Sequence, residues 1–333
     1  MHATPLRYLS SADVLAALPD VEERLSLAER TMLGLGAGAQ LPPKIGVQPG
    51  PVGSFAHTMP ALLPGAAADG SDDLLGMKWV VGFPDNVAAG LPAIHGLTIL
   101  SDGRTGQPRA IVDAGALTAH RTAAVSGLAI QRWGPRPGSS PRVALIGAGA
   151  QARSHLPVVS HLLPDAGVIL CDQDAERVKA LALELADADA CLGRIASVET
   201  TTDISGVARD ADLVLTMISF GRRHQAVPAE TLADAGLIVA VDYDMCVPAA
   251  VARAAALFIV DDREQYLANR TETTFAGYPD DPLTIGEAIR GAVPRPGGAV
   301  LVSHLGVGLA DVVFADSVLR VAESRGIGTI LPR

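Results

Sequence analysis

The chain has 333 residues, enough for about two domains at roughly 150 residues each. Its apolar share of 49% excludes a disordered chain, because that much apolar surface offsets the entropy lost on ordering. The net charge of −10 repels phosphate backbones and argues against nucleic acid as a partner. Met1 to Leu15 shows no basic region followed by an apolar run, and no stretch reaches about 18 uninterrupted apolar residues. The expectation is a soluble, cytoplasmic protein with no membrane partner. The three cysteines, Cys171, Cys191 and Cys246, lie far apart without CxxC spacing, which argues against a disulfide scaffold or a structural zinc site.

Residues 11–18 and 21–35 have helical character, the first opening on serines suited to an N-cap. Strand-like pieces follow at residues 54–59, 75–81, 96–101 and 109–113. Asp102-Gly103-Arg104-Thr105-Gly106 supplies a hairpin turn between the last two. Residues 119–131 are helical again, so this half reads as α+β with an antiparallel or mixed sheet. Gly134-Pro135-Arg136-Pro137-Gly138-Ser139-Ser140-Pro141 cannot continue a helix and reads as a linker. Beyond it, apolar strands at 142–147, 167–172, 211–219, 236–242 and 256–261 alternate with helical segments such as 151–163 and 175–185. That alternation predicts an α/β domain of Rossmann type, a doubly wound parallel sheet covered on both faces. Residues 306–324 read as an amphipathic helix that returns to the first domain. The expected domains are residues 1–130 completed by 306–333, and residues 131–305.

Val143-Ala144-Leu145-Ile146-Gly147-Ala148-Gly149-Ala150-Gln151-Ala152 is a strand, a G-x-G-x-x-A turn and a helix start. Gly147 permits the tight turn, Gly149 lets a pyrophosphate approach the backbone, and Ala152 allows close helix–strand packing. The amides at the helix start then face the diphosphate. Asp172 ends the next strand, where a carboxylate accepts both adenosine ribose hydroxyls and repels a 2′-phosphate. No Arg or Lys precedes Arg177 to offset that repulsion, so the expected cofactor is NAD, with NADP less favoured.

Several cations sit in apolar or glycine-rich surroundings: Lys44 after two prolines, Lys78 inside Gly76-Met77-Lys78-Trp79-Val80, and Arg121 among small helical residues. A lysine within such a strand is costly unless paired with an anion. Cations converging on one pocket would hold a carboxylate; surface positions or structural ion pairs are the alternative. Asp242 and Asp244 close a strand at the carboxyl edge of the parallel sheet, where ligands of such folds bind. Either one faces a substrate amine or caps the following helix. The eight histidines show no metal-ligand spacing, so no metal is expected.

Taken together, Pro43-Lys44, Met59-Pro60-Ala61, Met77-Lys78-Trp79, Gly90-Leu91-Pro92, Asp113-Ala114, Leu117 to Ala124, the glycine turn and Gly306-Val307-Gly308-Leu309-Ala310-Asp311 resemble the ornithine cyclodeaminase/mu-crystallin family. The resemblance implies a homodimer whose first domain binds substrate and dimerises, while the second binds the nicotinamide cofactor. It implies that Lys78 and Arg121 hold the substrate carboxylate beside Lys44 and Met59, and that Asp244 handles the proton of the amine, with Lys78 a second catalytic candidate. Cofactor contacts are implied for Thr122, Gly147, Gly149, Ala150, Gln151, Asp172, Thr216 and Ser219. The implied chemistry is hydride transfer between NAD and the α-carbon of a small amino or imino acid, as in ornithine cyclodeaminase. Ketimine reduction, amino-acid dehydrogenation and a non-catalytic NAD-binding role of mu-crystallin type remain open beside it. A 2-hydroxy acid dehydrogenase would want a histidine base, and none sits in a matching context. Asp242-Tyr243, Val247-Pro248-Ala249 and Ser303-His304 differ from the residues common in the family, which leaves the substrate side chain open.

Overall fold

In the computed structural model, which describes residues 5–65, 73–187, 195–219 and 224–332, strand β1 (Leu6–Leu9) leads into helices α1 (Ser11–Ala16) and α2 (Val21–Leu35). Both helices start on side-chain caps. Ser10 and Asp13 form a reciprocal box at α1, and Asp20 accepts the Glu23 amide at 2.9 Å at α2. Four antiparallel neighbours follow: β2 (Ile45–Val47), β3 (Phe55–Leu63), β4 (Leu74–Gly82) and β5 (Ile94–Asp102). The turn after β5 is built by Asp102, whose Oδ1 accepts from the Arg104 and Thr105 amides. β6 (Pro108–Asp113) then runs directly into α3 (Ala114–Trp133).

The next segment contains β7 (Arg142–Ile146), α4 (Ala150–Leu162), β8 (Gly167–Cys171), α5 (Ala175–Asp187), β9 (Ser197–Thr201), β10 (Leu213–Thr216) and β11 (Leu237–Ala240). After these come α6 (Ala249–Ala254), β12 (Leu257–Val260), α7 (Arg263–Asn269), β13 (Leu283–Thr284), α8 (Ile285–Arg290) and β14 (Val300–Ser303). Strands alternate with helices in this segment except between β9 and β11. The chain ends with α9 (Gly308–Arg325) and β15 (Thr329–Leu331). No helix among the described residues is long and apolar enough to cross a membrane.

Backbone proximity divides the chain inside α3, into residues 1–121 with 306–333 and residues 122–305. The proline-rich run at 134–141 is a loop within the second unit. The first unit carries a seven-stranded mixed sheet in the order β15-β1-β6-β5-β4-β3-β2. Its α9 packs on β3, β4 and β5 and against α2. The sequence reads α9 as amphipathic, but every residue from Gly308 to Ala315 is buried. A helix laid on a sheet and flanked by another helix has little surface left to give to water. The second unit is an eight-stranded parallel sheet in the order β13-β12-β14-β11-β10-β7-β8-β9, a Rossmann-type doubly wound α/β fold. β10 and β11 are wholly buried, and β7 and β8 are buried at four of five positions, as expected of strands covered on both faces. Cys171 and Cys246 are buried free thiols; Cys191 lies outside the described residues.

One buried polar contact in the first unit sets a pH limit on its stability. Arg24 Nη1 lies 2.9 Å from His120 Nδ1. A guanidinium only donates, so Nδ1 accepts and the ring is neutral. Burial, then the charge of Arg24, pushes the His120 pKa down to about 4. The unfolded ring takes its proton near pH 6.5, so the native state binds fewer protons below that value and loses stability as the pH falls from 6.5 towards 4. H120N is expected to remove roughly 2 kcal/mol of this acid-dependent loss, read as the difference between wild-type and variant urea midpoints across that range. Parallel pH slopes for the two proteins would refute this account.

Candidate active site

Alternation along β4 places Lys78 on the sheet face that α9 covers, together with Gly76 and Val80. Lys78 is 2% exposed and its Nζ lies 2.7 Å from Asp311 Oδ2. Arg121, 5% exposed, reaches the other oxygen of Asp311 from α3, with Nε to Oδ1 at 3.1 Å. Lys78 and Arg121 meet within the first unit as an ion pair on Asp311, an aspartate to which the sequence reading assigned no role, and a structural ion pair is the alternative that reading named. Asp311 can reach this depth because the start of α9 lies against β3. A Cβ at Gly308 would stand 2.6 Å from the Met59 carbonyl oxygen, so only glycine permits the approach. Met59, 3% exposed, is the cross-strand neighbour of Lys78.

Two cations share one anion here, so this buried triad carries one positive charge in excess whenever Lys78 is protonated. The cost falls on Lys78, whose pKa burial pushes down to about 7, with Arg121 and Lys44 lowering it further and Asp311 opposing. Lys44, which precedes β2, is half-buried and belongs to the same electrostatic neighbourhood. His57 lies on the Lys78 face of β3. Burial first, then Lys44 and Lys78, push its pKa down to about 4, which leaves its ring neutral. On the other side of Lys78, the β5 partner Thr98 is fully buried, and its hydroxyl has no hydrogen-bond partner among the described residues. A buried polar atom left open beside an excess positive charge is suited to an anionic, hydrogen-bonding ligand.

In the second unit the glycine turn has the geometry that a dinucleotide requires. Gly147 has φ 112°, and a Cβ there would meet the Met217 carbonyl oxygen at 2.6 Å. Gly149 is the N-cap of α4 and makes no side-chain cap, so the first amides of the helix lack an internal acceptor. A Cβ on Gly149 would point into open space, the cradle that a diphosphate fills. Ala150 and Gln151 form the first turn, and the Gln151 Oε1 is buried without a partner among the described residues. Ala152 is fully buried against the sheet. Asp172, just past β8, accepts the Ala148 amide at 2.9 Å and the Asp174 amide at 3.1 Å, which fixes its carboxylate beside the turn. Asp174 caps α5 by accepting the Glu176 amide at 3.0 Å. These residues fit a bound nicotinamide dinucleotide.

Of the remaining expected cofactor contacts, Thr122 is buried in α3 and Ser219 is exposed beyond β10. Thr216 is fully buried and its hydroxyl donates to Asp242 Oδ1 at 2.7 Å, so it has acceptor capacity only. Asp242 also accepts the Ile218 amide at 3.0 Å, and burial pushes its pKa up to about 6. It ties the ends of β10 and β11 together and does not cap a helix. Asp244 is 0% exposed. Its Oδ1 lies 2.8 Å from His224 Nδ1, and its Oδ2 accepts the Phe275 amide at 2.8 Å.

Asp311, Thr98 and His224 are the residues that the sequence reading passed over. A lone acid inside the apolar run Leu309 to Phe314 signals a buried cation, and that signal pointed to Asp311. Nothing local marks His224, which meets Asp244 across 20 residues of chain.

A parallel sheet of this order with a glycine turn after β7 defines a Rossmann-type α/β protein. The Ornithine cyclodeaminase/mu-crystallin family model matches residues 10–325, and the chain belongs to that family. It is 29% identical over 334 residues to the nodulation efficiency protein NfeD of Rhizobium meliloti, covering 98% of each chain. It is 32% identical over 238 residues to Delta(1)-pyrroline-2-carboxylate reductase 1 of Burkholderia multivorans, covering 67% of this chain and 73% of the relative. The Thermococcus litoralis Delta(1)-pyrroline-2-carboxylate reductase, solved with NADH and L-proline, shares the fold with a TM-score of 0.86 at 22% identity, covering 98% of this chain and 100% of that one.

Proposed function

We propose that the chain is an NAD-dependent enzyme acting at the C–N bond of a small amino or imino acid, with reduction of a cyclic imino acid as its reaction. The observation that carries this reading is the buried Lys78–Asp311–Arg121 triad with its excess positive charge. Lys78 and Arg121 hold the substrate carboxylate by charge-assisted hydrogen bonds, each contributing roughly 1.5–3 kcal/mol. Lys44 adds positive potential, the Thr98 hydroxyl is a further donor, and Met59 shapes the apolar side. Lys78, with a pKa of about 7, can also give or take a proton near neutrality. Asp244 and the imidazole bonded to it handle the proton at nitrogen.

NAD, when bound, accepts or supplies the hydride. The α4 amides at Ala150 and Gln151 hold its diphosphate, Asp172 its adenosine ribose, and Thr122, Thr216 and Ser219 complete the contacts. The Asp172 carboxylate favours NAD over NADP. NADH is therefore expected to bind at least 10-fold tighter than NADPH in a fluorescence titration, and D172S is expected to narrow that gap. Equal affinities in the wild type would refute the assignment.

The decisive assay supplies Δ1-pyrroline-2-carboxylate with NADH and, separately, ornithine with NAD. NADH consumption with the imine supports reduction. Ammonia release from ornithine without net NADH supports cyclodeamination, which the family also contains. Turnover of neither, with cofactor still bound, favours a ligand-binding role.

We further propose a homodimer built on the face of the first sheet that α9 leaves uncovered. Ile45, Trp79 and Leu97 lie in one cross-strand row there, exposed by 57%, 41% and 39%. Light scattering should read the mass of two chains.

A further inference from the structure

The bonds around Asp244 point to a different group as the one that meets the substrate. Both Asp244 oxygens are taken by the protein, one by His224 and one by the Phe275 amide, and the side chain is 0% exposed. A carboxylate covered in this way is out of a ligand's reach. The His224 side chain is 24% exposed. A carboxylate only accepts, so His224 Nδ1 carries its hydrogen towards Asp244. Nε2 is then a lone pair in the neutral ring and a donor in the imidazolium.

The surrounding backbone holds this ring in place. Gln225, the next residue, gives its amide to the Asp244 carbonyl at 2.8 Å and its side-chain nitrogen to the Ala276 carbonyl at 3.1 Å. Its side-chain oxygen accepts the Ala249 amide at 2.8 Å. Gln225, Tyr243 and Phe275 all take left-handed backbone conformations, with φ of 54°, 62° and 54°. Three such non-glycine residues at one carboxylate are a cost that the fold bears to keep this arrangement.

We infer that His224 is a catalytic acid–base, exchanging a proton with the substrate nitrogen through Nε2, and that Asp244 is its positioning residue. This rests on the proposed C–N chemistry and assigns its proton step. In the reducing direction hydride from NADH adds to the imine carbon, and the C=N π pair moves to nitrogen. Nitrogen takes the proton from imidazolium Nε2, and the neutral ring is recharged from water. Oxidation of the amine runs the same transfers in reverse.

The test uses the full chain with NADH and Δ1-pyrroline-2-carboxylate. H224N and H224A should each lower kcat by about 100-fold or more, with KM for the imine and NADH affinity changed by no more than about 3-fold. Added imidazole should restore part of the H224A rate, which loss of a purely structural contact would not allow. Independently of turnover, 15N spectra of histidine-labelled protein should show Nδ1 as the protonated nitrogen in the His224 signal, assigned by its disappearance in H224N. Wild-type kcat in both variants, loss in H224A that imidazole leaves untouched, or an unprotonated Nδ1 would each overturn the inference alone. An inert wild type would overturn the proposed reaction and this step with it.

Discussion

D311N should destabilise the protein by about 3 kcal/mol or more at pH 6, far beyond the effect of K78M. Removing one member of a buried ion pair strands the remaining charge, and here two cations, Lys78 and Arg121, would lose their shared anion. K78M removes an expensive charge, fills the space with an unbranched apolar chain and leaves Arg121 paired with Asp311, so its cost should stay near 1 kcal/mol. The sign of the pH dependence follows from Lys78. Its pKa is about 7 with Asp311 present, and it falls further once the attraction of Asp311 is gone. Below pH 7 the native wild type holds that proton as the unfolded chain does and loses no further stability, whereas D311N goes on losing it, so the gap widens as the pH falls below 7 and is constant well above it. Urea midpoints at pH 6 and 8 measure both effects. Equal losses in D311N and K78M, or a pH-independent gap, would show that the triad does not share its charge as described. K78M should nonetheless lose turnover, because the substrate carboxylate loses a partner.

The second large effect separates fold from cofactor at two neighbouring glycines. G149A should weaken NADH binding by about 10-fold or more, a cost of roughly 1.4 kcal/mol, while its unfolding midpoint stays at the wild-type value. The reason is the open space beyond Gly149: an added methyl touches nothing in the protein but occupies the diphosphate cradle. Its φ of −92° is open to alanine, so no backbone strain follows. G147A should behave otherwise. A side chain at φ 112° and 2.6 Å from the Met217 carbonyl forces the β7–α4 turn apart, costing on the order of 3 kcal/mol and losing cofactor with it. Fluorescence titration beside chemical denaturation distinguishes the two. Unaltered NADH affinity in G149A would place the diphosphate elsewhere.

The Rossmann-type half was legible because its signals are local. β7, the glycine turn, α4 and the acid after β8 follow one another within about thirty residues, and each has a residue-level reason. β14, by contrast, escaped the reading although it lies next to β11 in the middle of the sheet. It is only four residues long, and its all-buried pattern tells nothing about period. β1, β2 and β15 are short edge or near-edge pieces, and β1 and β15 exist through pairing with each other from opposite ends of the chain. Lys78 and Arg121 stood out because charge in apolar surroundings needs a partner, yet which partner was a question of tertiary distance. Asp311 meets Arg121 across 190 residues, and no spacing rule reaches that far. The same holds for His224 and Asp244, whose bond depends on how two loops are bent.

The thread linking β1 to β15 has a consequence for biosynthesis. The first unit takes its central helix, its buried anion and one edge strand from residues made after all of residues 122–305. On the ribosome the parallel-sheet unit is uninterrupted and can condense first, while its predecessor waits with Lys78 and Arg121 unneutralised. Chains truncated before Gly308 and released from the ribosome should therefore bind nicotinamide nucleotide yet leave β1 to β6 open to protease, the later-encoded segment acting as the clasp that ends assembly.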